Sequence, residues 1–319
     1  MAIGRLVYEE YLTRTGNGRR AWSLVRTILI KLLRDPNCSM PIHGRHLKLP
    51  LSHSLPDYLK QFRFYDRLPQ RISDYIHQQQ GHLNCIDVGA NIGDTIAAFF
   101  RKDTDTFLAI EPNPKFNKLL KENWDWNKNV TVVSDICSSG SSENTFVIHE
   151  KNGTASILQA SNGRKMRRRP LDEIVDDYPF AASANILKVD TDGHDFEVLA
   201  GSGKLISRNH PIVLFECDYF ENTNYVEDCL RTLRFFEQCG YNHFLLYDNF
   251  GGLMGRYSLS ELSPFQNLLF YQLTSNFYYF DILVMKDEDI YRFHQAEIDY
   301  FTNQMASKSL QRTAAAVEL

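Results

Sequence analysis

The sequence has no apolar run of membrane-spanning length. A spanning helix needs roughly 20 apolar residues, and the early stretch Ile28-Leu29-Ile30 stops at Lys31. A secretion leader is also missing. Such a leader has a basic start and an uninterrupted apolar core, whereas residues 1–15 carry Tyr8, Glu9, Glu10 and Tyr11. These absences predict a cytoplasmic chain. The six cysteines show no C-x-x-C pair and no zinc spacing, so they read as buried free thiols. There is no internal repeat and no low-complexity tract. There is little excess charge: 35 Lys and Arg against 39 Asp and Glu leave a net charge of -4, which excludes a general nucleic-acid binder. With 43% hydrophobic and 23% charged residues, wholesale disorder and fibrous folds are excluded as well.

What charge there is lies unevenly. Residues 1–50 hold nine Lys and Arg against three acids, so this head is +6 and the remainder -10. Within it, residues 19–34 repeat Trp22, Val25, Leu29, Leu32 and Leu33 at helical spacing with Arg26, Lys31 and Arg34 between them. This predicts an amphipathic basic helix, ended by Asp35-Pro36. Residues 36–56 read as a Pro/His-rich loop. Residues 57–79 read as helix, interrupted near Leu68-Pro69. The chain thus divides into an N-terminal helical extension (1–82), a central domain (83–290) and a C-terminal helix and tail (291–319).

From residue 83 the pattern changes to strands alternating with helices. Short apolar runs at 83–88, 106–110, 130–133, 186–189 and 212–216 predict strands. Residues 93–102, 114–126, 171–178, 194–206 and 225–239 predict helices. Two further runs, 145–149 and 156–159, flank Asn152-Gly153, a hairpin-turn pair. Late strands are expected at 244–247 and 280–284. Continuous apolar strands separated by helices mean an α/β fold, a mostly parallel sheet with helices on both faces.

Ligands of such sheets bind beyond the carboxyl ends of the strands. There the sequence collects acids: Asp87-Val88-Gly89-Ala90-Asn91-Ile92-Gly93-Asp94-Thr95, Glu111-Pro112-Asn113-Pro114, Ser134-Asp135, Asp190-Thr191-Asp192-Gly193-His194-Asp195 and Glu216-Cys217-Asp218. A single acid after a strand also serves as a helix cap. The order is more telling. An acid about 22 residues after Gly89 stands where paired acceptors grip a ribose diol. The glycine turn lacks the G-x-G-x-x-G spacing of nicotinamide sites, with Asn91 in place of the middle glycine.

The Asp87–Thr95 and Glu111–Pro114 motifs resemble those of S-adenosylmethionine-dependent class I methyltransferases, and more narrowly the FkbM family. Asn152-Gly153-Thr154-Ala155-Ser156, Leu171-Asp172-Glu173-Ile174, the segment Lys188 to Asp195 and Phe215-Glu216 carry the narrower likeness, over about residues 83–250. Asp192 and the run His194-Asp195-Phe196-Glu197 depart from it. Tyr65-Asp66-Arg67-Leu68-Pro69 resembles members from bacterial surface-polysaccharide clusters. The resemblance implies a Rossmann-like class I methyltransferase fold with a seven-stranded sheet. It implies that Asp87, Gly89, Ala90, Asn91, Gly93, Asp94 and Thr95 hold the amino-acid end of the cofactor. Glu111 and Pro112 would hold its ribose, with Asn113 beside them and Asp135 at the adenine.

The implied function is O-methylation of a sugar hydroxyl in a bacterial surface polysaccharide or its precursor. An alcohol must lose its proton during attack, to a carboxylate, a histidine or a metal-held oxygen. Asp190 is the first candidate, as base or metal ligand. His194 is the second, and Asp192 lies between them. Asp190, Asp192 and Glu216 together suit a hard divalent ion such as Mg²⁺. Lys188, Glu216 and Arg168 are candidate acceptor contacts. Arg168 belongs to the basic run 164–169, read as a solvated face or edge strand, or else as a gate for an acidic acceptor. The aromatic segment 265–280 is either core or pocket lining. A small natural-product acceptor and a non-catalytic cofactor-binding scaffold are the alternatives, the second opposed by the intact acids. Three duties fit the basic N-terminal helix: packing on the body, a homo-oligomer interface, or peripheral contact with the inner membrane.

Overall fold

A computed structural model describes residues 2–160, 162–220, 222–275, 279–305 and 307–314. The chain opens with two helices packed on each other, α1 (Ala2–Thr13) and α2 (Gly16–Leu32). The loop expected over 36–56 is instead a hairpin, β1 (Asn37–Ile42) against β2 (Arg45–Pro50), running into a helix. Cys38, Met40, Ile42, Leu47 and Leu49 alternate inward and are buried. Pro41 is tolerated because a two-stranded ribbon leaves every strand an open edge. His43 and Gly44, with φ of 48° and 78°, make the tight turn. Helices α3 (Leu55–Gln61) and α4 (Leu68–Gln80) follow, broken before Leu68-Pro69 as expected.

The main sheet begins at β3 (Asn84–Val88) and continues through α5 (Asp94–Phe99), β4 (Thr106–Ile110), α6 (Pro114–Trp124) and β5 (Val130–Val133). Asn113 caps α6, its side-chain oxygen accepting from the Lys115 and Phe116 N–H groups, and Pro114 supplies the first turn. Four strands then form a separate sheet in the order β6-β9-β7-β8: β6 (Ile136–Cys137), β7 (Ser142–Lys151), β8 (Thr154–Gln159) and β9 (Arg164–Arg169). The β7–β8 turn is Asn152-Gly153, at φ of 54° and 100°. Helix α7 (Leu171–Asp177) leads back to β10 (Ile186–Val189). The single helix expected over 194–206 is two, α8 (Asp195–Ala200) and α9 (Gly203–Asn209). They part at Gly201, where a Cβ would sit 2.1 Å from the Ser138 carbonyl oxygen. The rest is β11 (Ile212–Asp218), α10 (Tyr225–Gln238), β12 (His243–Asp248), β13 (Leu253–Ser258), α11 (Ser263–Thr274), β14 (Tyr279–Val284), α12 (Asp287–Asn303) and α13 (Lys308–Ala314). Residues 315–319 of the expected tail lie outside the described residues.

The main sheet has eight strands in the order β13-β12-β14-β11-β10-β3-β4-β5. From β11 to β5 all pairs are parallel, and β14 runs antiparallel between β11 and β12. This is the Rossmann-like class I methyltransferase arrangement, with β13 added to the seven strands expected. Strands β3 and β10 are buried at every position, because helices cover both faces. One face packs Cys85, Phe107 and Leu245 against Tyr8, Met40, Leu47 and Ile72 from the first 82 residues. The other packs Ile86, Leu108 and Leu187 against α8 and α10. The strand order reverses between β3 and β10, and the cavity described next opens at their carboxyl ends.

Candidate active site

The turn after β3 is shaped by steric demand. Gly89 has φ 85°, and a Cβ there would lie 1.7 Å from the Asp190 carbonyl oxygen. Only glycine lets these two strand ends touch. The Gly89 and Ala90 N–H groups both donate to the Ile110 carbonyl, at 2.9 and 3.1 Å. Asn91 takes a positive φ of 46° and donates through Nδ2 to the Gly153 carbonyl at 2.7 Å. The β7–β8 hairpin tip is thereby tied over the loop. Gly93, φ 84°, leaves room for Trp124, whose indole N–H donates to its carbonyl at 3.0 Å.

The loop, the ends of β4, β10 and β11, and the hairpin tip enclose a cavity of about 460 Å³. Asp94, Thr95, Glu111 and Pro112 line it, with Ile110, Ile136, Phe146 and Leu158 as an apolar wall. Glu111 accepts from the Asn91 N–H at 2.8 Å and the Asn113 N–H at 2.7 Å, one on each carboxylate oxygen. Burial nonetheless pushes its carboxyl up to about 8. Each oxygen keeps a further lone pair for a hydroxyl. Asn113 itself does not face the cavity. It is fully buried, capping α6 and donating to Glu150 at 3.0 Å. Asp135 is likewise drawn aside. Arg167 donates to it at 3.1 and 2.7 Å, and Arg169 at 3.3 Å.

Charge concentrates at the β10 end. The Lys188 ammonium lies 2.7 Å from Asp190 and 3.8 Å from Asp87. Burial works against this ammonium, but the two carboxylates outweigh it and hold its pKa well above the ordinary lysine value. Asp87 is fully buried and pushed up to about 6 by that burial. Asp94 rises to about 7, first by burial and then by Asp66. Asp192, at φ 51°, also rises to about 7 by burial and the neighbouring Asp190, held back by the Ala155 N–H. Glu216 is driven well above the carboxylate range by burial and by Asp190 and Asp281. His194 is lowered by burial; its Nδ1 stands 3.9 Å from Glu197, and its Nε2 has no hydrogen-bond partner among the described residues. Arg168 reaches the cavity and bonds Glu197.

The expected metal set does not assemble. Among the described residues no three His, Cys, Asp or Glu side chains are arranged to hold an ion. Asp190 pairs instead with the Lys188 ammonium at 2.7 Å.

The methyltransferase FkbM domain family matches residues 87–242, which include the strand ends that build this cavity. The chain contains an FkbM methyltransferase domain. Methyl transfer from S-adenosylmethionine is the activity expected of such a domain. Among solved structures, the methyltransferase FkbM of Methylobacillus flagellatus is 15% identical, with a TM-score of 0.37 over 60% of this chain and 55% of that one. The chain thus spans about half the length of that relative. An S-adenosylmethionine-dependent O-methyltransferase of Thermotoga maritima is 12% identical, TM-score 0.39, over 79% and 78%. Aeropyrum pernix fibrillarin, solved with bound S-adenosylmethionine, is 10% identical, TM-score 0.34, over 64% and 66%. No curated protein is similar at the sequence level.

The FkbM domain's cavity fits the cofactor. Glu111 offers side-by-side acceptors, and Gly89 lets its loop close against the Asp190 carbonyl. Several lining residues were not among those expected from sequence. Tyr65 faces the acid-rich end, beside Tyr279 of the segment read as core or pocket lining. His53, pushed down to about 4 by burial, is neutral, and its Nδ1 accepts the Leu55 N–H at 3.2 Å. Its ring stands where a Cβ on Gly153 would meet it at 2.6 Å, so it backs the hairpin tip. Asp195 is buried and accepts from the Thr191 N–H and hydroxyl (3.0 and 2.7 Å) and the Glu216 N–H (3.1 Å), locking β10 to β11. The basic run 164–169 is β9; only Arg168 and Arg169 pair with β6, so residues 164–167 keep an open edge, and Arg164, Lys165 and Arg167 are exposed. Of the aromatic segment 265–280, Phe265 and Phe280 are core and Tyr279 lines the cavity, while 276–278 lie outside the described residues.

Proposed function

We propose that the enzyme methylates a sugar hydroxyl of a bacterial surface polysaccharide or its precursor, on the cytoplasmic side. One observation carries this reading. At the end of the cavity beside β10, the carboxyls of Asp190, Asp192, Glu216 and Asp218 converge with the rings of Tyr65 and Tyr279. A sugar presents many O–H donors and an apolar ring face. Carboxyls answer the first and tyrosine rings the second.

S-adenosylmethionine supplies an activated methyl on a sulfonium centre. In this reading Glu111 holds the ribose hydroxyls and the Gly89–Gly93 turn holds the amino-acid end. Asp190, held by Lys188 at 2.7 Å, orients the acceptor by accepting its hydroxyl hydrogens. Asp192 takes the proton of the attacking hydroxyl, since its carboxyl titrates at about 7. His194, unpartnered at Nε2, is the second candidate. Alignment of the hydroxyl supplies much of the remaining rate.

The test is incubation with methyl-labelled S-adenosylmethionine and fractionated bacterial glycans. Label in a sugar methyl ether supports the reading. Label confined to non-carbohydrate small molecules overturns it.

A further inference from the structure

We propose that the outward face of α2 docks on an anionic lipid membrane. No residue of this helix is fully buried. Its inner side is held by arginines: Arg26 donates to the Leu51 and His53 carbonyls at 2.8 and 3.1 Å, and Arg19 to Asp57 at 2.6 Å. The opposite side exposes Leu24 (62%), Val25 (38%), Ile28 (45%) and Leu32 (74%). At about 100° per residue these fall in one stripe. Arg20 and Lys31 fall along one edge of that stripe and have no carboxylate partner among the described residues. Helix α2 contains no Asp or Glu.

This charge pattern selects the occupant. A second copy pairing α2 on α2 about a two-fold axis would meet the same basic edge with no acid on the helix to answer it. An anionic bilayer answers both features, acyl chains taking the apolar stripe and headgroup phosphates the basic edge. No helix among the described residues is long and apolar enough to cross a membrane, so α2 lies in the interface plane. The inner side of α2 also connects to the cavity. Tyr8 and Arg26 both bond the carbonyl of His53, whose ring lines the cavity wall. The inference holds whatever the acceptor is.

The experiment is flotation of the full chain with phosphatidylcholine vesicles, with and without phosphatidylglycerol. The wild type is expected to float with anionic vesicles only, and to be released by high salt. R20E/K31E should weaken binding roughly 5-fold or more per basic residue changed. I28E/L32E should abolish it while cofactor binding persists, which shows that the variant is folded. Three results would each overturn the proposal: no flotation of the wild type, equal flotation of I28E/L32E, or a wild-type dimer that I28E/L32E splits. The last would assign the face to a second copy.

Discussion

The Lys188 ammonium lies 2.7 Å from the Asp190 carboxylate, two residues further along the chain. It also stands 3.8 Å from Asp87, whose two oxygens have no hydrogen-bond partner among the described residues. One cation therefore compensates two acids at the heart of the sheet. Asp190 is 38% exposed, so the loss of Lys188 falls on buried Asp87; removing one member of a buried ion pair costs about 3 kcal/mol, because the other charge is left uncompensated. Lys188→Met should lower stability by that amount in urea titration and weaken cofactor binding. A variant as stable as wild type would contradict this role.

The cavity's acids make stability fall with rising pH. Asp87 is raised to about 6, Asp94, Asp192 and Asp195 to about 7, and Glu111 to about 8. In the unfolded chain these groups titrate near 4. Between those values the folded protein holds protons that the unfolded chain has released. The resulting stability is full below about pH 4 and is lost as pH rises through about 6 to 8. Melting of the ligand-free protein should therefore drop between about pH 5.5 and 8.5. A midpoint that climbs over this range would show that these carboxyls are not raised.

Asp195 acts through others. Its carboxylate fixes Thr191 after β10 and the Glu216 N–H in β11. Asp195→Asn retains one acceptor oxygen and loses the other. Turnover should fall on the order of 10²-fold by misplacement of the strand ends, with cofactor affinity nearly unchanged. Equal losses in turnover and cofactor affinity would argue for general unfolding instead.

Asp192 gives the proposed reaction its pH profile. Wild-type turnover should rise with pH through about 7. Asp192→Asn should cut turnover by about 10²-fold or more and remove that rise, while His194→Gln keeps it. If the rise vanishes in His194→Gln and persists in Asp192→Asn, the base is His194.

Much of this was legible from residues in sequence. The unbroken apolar runs of β3 and β10 reported strands buried on both faces, and Gly89 and Glu111 line the cavity, whereas Gly93 packs on Trp124. Lys188 and Asp190 are two apart at a strand end, hence on one face, and this spacing was available as a sign of their pairing. Other features depended on distant partners. Asp135 is drawn off by Arg167 and Arg169, from a strand whose position in its sheet no local pattern encodes. His53 and Tyr65 reach the cavity only because the first 82 residues pack on the sheet. Pro41 hid the β1–β2 hairpin, although Cys38, Met40 and Ile42 already alternated.

Glu111 organises the proposed cofactor site, and calorimetry with S-adenosylmethionine on wild type and Glu111→Gln is its test. The wild type should bind one equivalent. The variant should bind at least about tenfold more weakly, because its amide keeps one acceptor oxygen and turns the other into an N–H donor. No binding by the wild type, or equal affinity in the two proteins, would contradict this role of Glu111.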